Sequence, residues 1–277
     1  GRGDFYYADV AVLSFDRLTD GFDDDFLPFV TPYLRFNADG ELPFRLGDFD
    51  VFANVVNLRR ELFNDYTRAT VGASWSRPTI LPGGVRFELA AFGRIDAYRE
   101  ALDRRGGPDD INAFTRTRGA AIADLSYPFV RPGERFDVVI APRAAVIASN
   151  GGDPEERPLF RDSTSQDLNR SSLFQPNRVP GFDLFEDGVR ADSGIEFEFN
   201  DRYDRYGFQS FVGRSFRLSG GDERFSPASG AFEDESDWIV DFEVEAGPVT
   251  AGVSSRLDTE DFDVNRLEAD VGFDMWR

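Results

Sequence analysis

The chain contains no cysteine, no histidine and no lysine in its 277 residues. Without a thiol there is no disulfide staple and no sulfur nucleophile. Without imidazole there is no zinc site of the usual kind and no triad with a histidine base. Most enzyme templates fall with those two residue types, so the expectation is a protein that is not an enzyme and holds no cofactor or metal. Long apolar runs are missing too, since nothing approaches the ~20 continuous apolar residues of a membrane-crossing helix. Positive charge is scarce: 31 basic residues, all arginine, face 51 carboxylates and leave a formal net charge of −20. That balance argues against a nucleic-acid partner held by bulk charge. Mean hydropathy is that of a soluble protein, yet a transmembrane barrel gives the same average because only alternate residues meet lipid.

What the chain does have is alternation. Glycine and proline divide it into about twelve runs, near 5–17, 26–37, 46–60, 65–77, 84–98, 114–127, 134–149, 188–200, 204–217, 235–247, 248–258 and 262–274. At roughly 10 to 15 residues they exceed the usual soluble strand and suit a tilted membrane strand. Trp238, Val240, Phe242, Val244 and Ala246 take one face of a pleat of period two, and Asp241, Glu243 and Glu245 take the other. Ile195, Phe197 and Phe199 against Glu196 and Glu198 repeat the pattern, as do Val85, Phe87 and Leu89 against Arg86 and Glu88. Charges mixed along several strands fit a wet lumen, which makes Glu196, Glu198, Asp241, Glu243 and Glu245 candidate lumen-facing residues.

Connection lengths also alternate, as they do in an outer-membrane barrel with short periplasmic turns and longer external loops. The long set is near 18–25, 61–64, 99–113, 150–187 and 218–234, and the turn at Gly247-Pro248 belongs to the short set; two members break the trend, 61–64 being short and 38–45 moderate. Tyr98 to Arg105 is expected to form one or two helical turns in an external loop. The acidic clusters Asp23-Asp24-Asp25 and Asp153-Pro154-Glu155-Glu156 match no calcium-loop spacing and read as solvated loops, with divalent-cation binding near lipid phosphates as the alternative. Trp75, Trp238 and Trp276 lie near strand ends, where an aromatic belt or an ordinary core contact would place them. The fold class expected is all-β, an antiparallel transmembrane barrel segment forming a single partial domain over 1–277.

The one long non-repetitive stretch is the loop at about 150–187, with its continuation to Gly194. Its turn signals include Gln175-Pro176-Asn177, Val179-Pro180-Gly181 and Glu186-Asp187-Gly188, with Leu173, Phe174, Phe182, Leu184 and Phe185 between them. A loop carrying its own apolar anchors packs onto a scaffold. Arg178, Asp183, Glu186 and Arg190 have the chemistry either to pin the loop by ion pairs or to touch polar sugar and phosphate groups.

In order and spacing, Asp162-Ser163, Ser172-Leu173-Phe174, Asn177-Arg178-Val179-Pro180-Gly181-Phe182-Asp183, Glu186-Asp187-Gly188-Val189-Arg190 and Gly194 resemble the motif series of the LPS-assembly outer-membrane protein family LptD. Val212-Gly213-Arg214-Ser215-Phe216-Arg217, Ser229-Gly230 and Ser236-Asp237 resemble later fragments of it. The resemblance implies about twelve strands from a larger barrel, with no periplasmic jelly-roll domain in this chain. As an isolated sheet it would be open and curved, with edges near 5–17 and 262–274. The implied function is transport of lipopolysaccharide and its insertion into the outer leaflet of a Gram-negative outer membrane. The implied partners are lipopolysaccharide, outer-membrane lipid, an LptE-type lipoprotein plug and periplasmic LPS bridge proteins. A passive porin or substrate-specific channel shares the strand pattern and is the alternative, separated by the loop motifs.

Overall fold

The computed structural model describes residues 5–15, 27, 29–59, 65–102, 110–152, 167–203, 205–220 and 225–273. The strands are β1 (Phe5–Leu13), β2 (Phe29–Glu41), β3 (Asp48–Arg59), β4 (Asp65–Ile80), β5 (Arg86–Leu102), β6 (Asp110–Ser126), β7 (Phe129–Arg131) and β8 (Phe136–Asn150). The short α-helix α1 (Arg170–Leu173) precedes β9 (Gly188–Asp201), β10 (Tyr206–Ser219), β11 (Trp238–Ala246), β12 (Val249–Leu257) and β13 (Val264–Phe273). All join one antiparallel sheet in chain order, with β7 set off the path against β8. The short β7 is the strand beyond the twelve expected. Pro128 interrupts the run from β6, and the chain resumes pairing at Phe129 opposite Ile140. β1 and β13 end the order, and among the described residues no strand pairs one with the other.

One expectation is overturned: Tyr98 to Leu102 continue β5 as strand and form no helical turn. Tyr98 and Glu100 alternate with Arg99 in burial. The side chains at 94, 96, 98 and 100 therefore share a face, which a helix would have scattered. Asp103 to Arg105 lie outside the described residues, as do Asp20 to Asp25, Asp153 to Glu156, Asp162, Ser163, Asp222, Glu223 and Trp276.

The chain forms two compact units, one of Gly1–Arg77, Ala90–Gly119 and Gly151–Asp162, the other of Pro78–Leu89, Ala120–Asn150 and Ser163–Arg277. In the first, burial runs opposite to that of a soluble sheet. Arg94 and Arg118 are 6% and 1% exposed, whereas Val71 and Ile95 on the opposite face are 59% and 57% exposed. The buried face is held by polar contacts. Asp96 accepts hydrogen bonds from Thr70 Oγ1 at 2.8 Å and Arg94 Nε at 3.1 Å, with Arg118 Nη1 at 3.4 Å. Arg68 donates to Asn54, whose own amide reaches the Leu34 carbonyl. Rings of Tyr66, Tyr98 and Phe114 pack beside these groups, the last two stacked at 4.9 Å.

The second unit keeps the same division. Register across β8 to β11 puts Ile140, Phe197, Phe208 and Val244 on one face, and Asp241, Gln209 and Glu196 on the other. On the polar face sits an apolar cluster of Leu168, Leu173, Val179, Phe211, Phe225, Ala231 and Ile239, five of the seven contributed by connections rather than strands. The hydrophobic core of this unit is thus made by loops folding back onto the sheet.

Candidate functional site

The loop from Asp167 to Asp187 is built from short local devices. Asn169 caps α1 by accepting from Ser172 N at 3.0 Å while its own N–H donates to Ser172 Oγ, a reciprocal capping box. Four residues make a weak helix alone, so the cap and the burial of Leu173 hold it. Asn177 closes the next turn: its Nδ2 donates to Val179 O at 2.6 Å and its Oδ1 accepts from Glu186 N at 3.1 Å. That brings Arg178 and Glu186 together. Arg178 donates to Glu186 through its backbone N–H, Nε and Nη2 at 2.7, 2.9 and 2.9 Å, and Arg190 Nη1 reaches the same carboxylate at 2.6 Å.

Arg190 then ties the loop to β9 and β10. Its Nε donates to Asp192 at 3.0 Å, its Nη2 donates to Gln175 O, and Asp192 accepts from Ser215 Oγ at 2.6 Å. Arg178 also lies 5.3 Å from the Phe225 ring centroid. Burial by itself would push the Glu186 carboxyl up, but the charges of Arg178 and Arg190, with the Arg178 hydrogen bonds, outweigh it and hold the group below the usual glutamate range. A depressed value stabilises the fold fully above the ordinary glutamate value of about 4.3 and loses that contribution as pH falls through the lower folded value. Pepsin cleavage between Asp167 and Asp187 is therefore expected to begin only well below that ordinary value. Complete cleavage at the ordinary value would contradict the linkage.

Of the residues singled out in the sequence, Asn177, Arg178, Glu186 and Arg190 thus join in one network. Leu173 is fully buried, and Phe174 packs edge-on to Phe211 and lies under Arg143 at 4.1 Å. Asp183 is completely buried, Pro180 is exposed, and Gly181 has φ 86°. Gly188 has φ 105°, and a Cβ there would stand 2.1 Å from Ser219 O, so only glycine lets β9 begin beside β10. Asp162 and Ser163 fall outside the described residues. The burial of Arg178, Asp183, Glu186 and Arg190 leaves these groups engaged inside the loop rather than presented to a ligand.

The strand carboxylates flank this loop. Glu196 accepts from Arg170 of α1 and from Gln209, and it lines a cleft of about 730 Å³ with Arg86, Glu88, Asp124 and Arg143. Asp241 and Glu243 line a second cleft of about 550 Å³ with Asn169, Arg170 and Arg143. Glu198 is half-buried beside Asn200, and Glu245 is half-buried on β11. Arg143 borders both clefts and pairs with Asp124 at 2.8 Å. Trp75 and Trp238 both take the apolar face: the first donates to Leu46 O at 2.9 Å, the second carries the Arg214 guanidinium 4.7 Å from its ring.

Two features were not foreseen. The connection Phe225–Asp237 is a second structured loop, gripped by strand arginines: Arg217 donates to Ala231 O and Phe232 O, and Arg256 to Ala228 O. Arg214 reaches Glu235 and Ser236 O. The Asp96 network was also missed, although the i, i+2 series Arg94, Asp96, Tyr98, Glu100 and the pair Arg116, Arg118 carried its signal.

A family model described as LptD, LPS transport system D, matches residues 2–275. The chain belongs to the LptD family. A search of curated proteins gave no significant match. Membership in the LptD family ties this sheet to lipopolysaccharide transport and to assembly of the outer membrane.

Proposed function

We propose that the strands of this LptD-family chain cross the outer membrane of a Gram-negative bacterium and form part of the wall through which lipopolysaccharide reaches the outer leaflet. The observation that carries the reading is the inverted sheet, with arginines and carboxylates buried on one face and Val71, Ile95, Phe242 and Val244 open on the other. Water would not select that inversion, whereas lipid requires it, because uncompensated polar groups in hydrocarbon cost several kcal/mol each.

The polar face offers the sugar and phosphate portion a charged path along the two clefts, while the acyl chains stay in the apolar phase. No bond is made or broken in that transfer. The structured loop works against the porin alternative, since a simple channel would leave the polar face open and Asp167 to Asp187 cover part of it. An LptE-type lipoprotein and periplasmic bridge proteins would act as the plug and the supplier. Orientation is set by connection length, with the short turns on the periplasmic side.

Cysteine labelling tests the arrangement. In intact cells, Glu260→Cys in the exposed β12–β13 connection is expected to react with an impermeant thiol reagent, and Pro248→Cys in the β11–β12 turn is not. The reverse pattern would overturn the orientation, and equal labelling of both would overturn the membrane reading.

A further inference from the structure

The apolar face of β8 to β10 ends, at its short-turn edge, in a cluster of different chemistry. The register of β7 against β8 pairs Phe129 with Ile140 and Arg131 with Val138. Directly opposed residues share a face, so Phe129 and Arg131 stand on the apolar side. Phe136 stacks on Phe199 at 4.5 Å, and the Arg135 guanidinium lies 5.0 Å from the Phe136 ring centroid. Both arginines are exposed, as is Tyr206, which shares this face on β10.

The neighbouring turn is fastened to this one through Arg202 N, which donates to Arg135 O at 3.0 Å. Among its described residues the charges are paired: Arg205 with Asp201 at 3.0 Å and Arg202 with Asp137 at 3.6 Å, while Asp137 also accepts from Gly133 N. Glu134, at the tip of the turn between the two arginines, is exposed to solvent.

We infer that Arg131 and Arg135 form a headgroup site for anionic phospholipid in the leaflet that meets the short turns. The inference rests on the membrane reading above. An aromatic ring at the boundary of an apolar face sits at headgroup depth. A guanidinium beside it offers a planar fork of donors to a phosphate oxygen pair. Two such groups on the margin of an otherwise apolar face, in a chain of net charge −20, mark a local reversal of sign. Continuity with Val138, Ile140 and Phe197 makes lipid the occupant, because a protein or soluble ligand there would compete with the acyl chains that cover the same strands.

The test uses the whole gene product, extracted from its membrane and reconstituted into vesicles of phosphatidylcholine with or without phosphatidylglycerol. Native mass spectrometry of the released protein reads the ratio of the two lipids retained. Attraction of a basic side chain to an anionic surface corresponds to roughly a fivefold enrichment per arginine, so wild type should retain phosphatidylglycerol in clear excess. Arg131→Gln/Arg135→Gln should lose most of that excess. Arg59→Gln, an exposed arginine at the far end of β3, should keep it. Equal enrichment in wild type and the double variant, or abolition of the excess by soluble glycerol phosphate, would overturn the site while leaving the membrane reading intact. Failure of wild type to insert into either vesicle would strike the membrane reading itself.

Discussion

Replacing Glu186 with glutamine is expected to cost about 3–5 kcal/mol and to release the loop, because removing one member of a buried ion pair leaves an uncompensated buried charge. Here two guanidiniums lose the same charged partner at once, although Arg190 keeps its pairing with Asp192. Arg178 and Arg190 both bond the Glu186 carboxylate, and the three side chains are 5–6% exposed. Glutamine keeps the shape and one acceptor, so the loss reads charge and not volume. The apolar cluster beneath the loop, Leu168, Leu173 and Val179 with Phe211 and Ile239, remains in the variant. The outcome is therefore a loosened loop on an intact sheet. Limited proteolysis at neutral pH should cut Glu186→Gln between Asp167 and Asp187 while the strands stay resistant. Arg178→Met/Glu186→Gln should recover part of the loss, since it removes the guanidinium together with the carboxylate it bonds. A single variant as protease-resistant as wild type would mean that the apolar cluster alone holds the loop.

The loop was legible in sequence because its turns are written in local chemistry. Asn177, Gly181 and Gly188 each answer to a backbone requirement within a few residues, and Arg178 and Glu186 are only eight apart. Strand positions were equally open, since period-two alternation survives over a whole strand. The side chains joined across strands were harder to read. Asp96 meets Thr70 and Arg118, which are 26 and 22 residues away, and that juxtaposition follows from register, set jointly by every pair along the sheet. The second loop was hidden for the same reason: its carbonyls are taken by Arg217 and Arg256, which only the folded sheet brings near. Tyr98 was misread because the run Tyr-Arg-Glu-Ala-Leu has good helix formers. Tertiary burial of alternate side chains overrides that propensity.

The two faces of β11 set the sharpest contrast for substitution. Phe242 is 46% exposed, opposite Ser210 and Val253 on the apolar face, and its ring stacks with Phe208. Glu243 points the other way, opposite Gln209 and Gly252, beside the cleft that also holds Asp241 and Arg170. In a membrane barrel an arginine near the midplane of the lipid face costs on the order of 2–4 kcal/mol. Phe242→Arg is therefore expected to lower the yield of heat-resistant, membrane-inserted protein severalfold, and Phe242→Leu and Val244→Leu to leave it close to wild type. Glu243→Gln should also assemble normally, because an exposed carboxylate on a wet face has little to lose by becoming an amide. In a soluble sheet the ranking would invert or vanish, since an arginine at a half-exposed position would find water. Yields for Phe242→Arg and Glu243→Gln that fall together would place water on both faces of β11, and with them would go the reading of this face as the one that meets lipid.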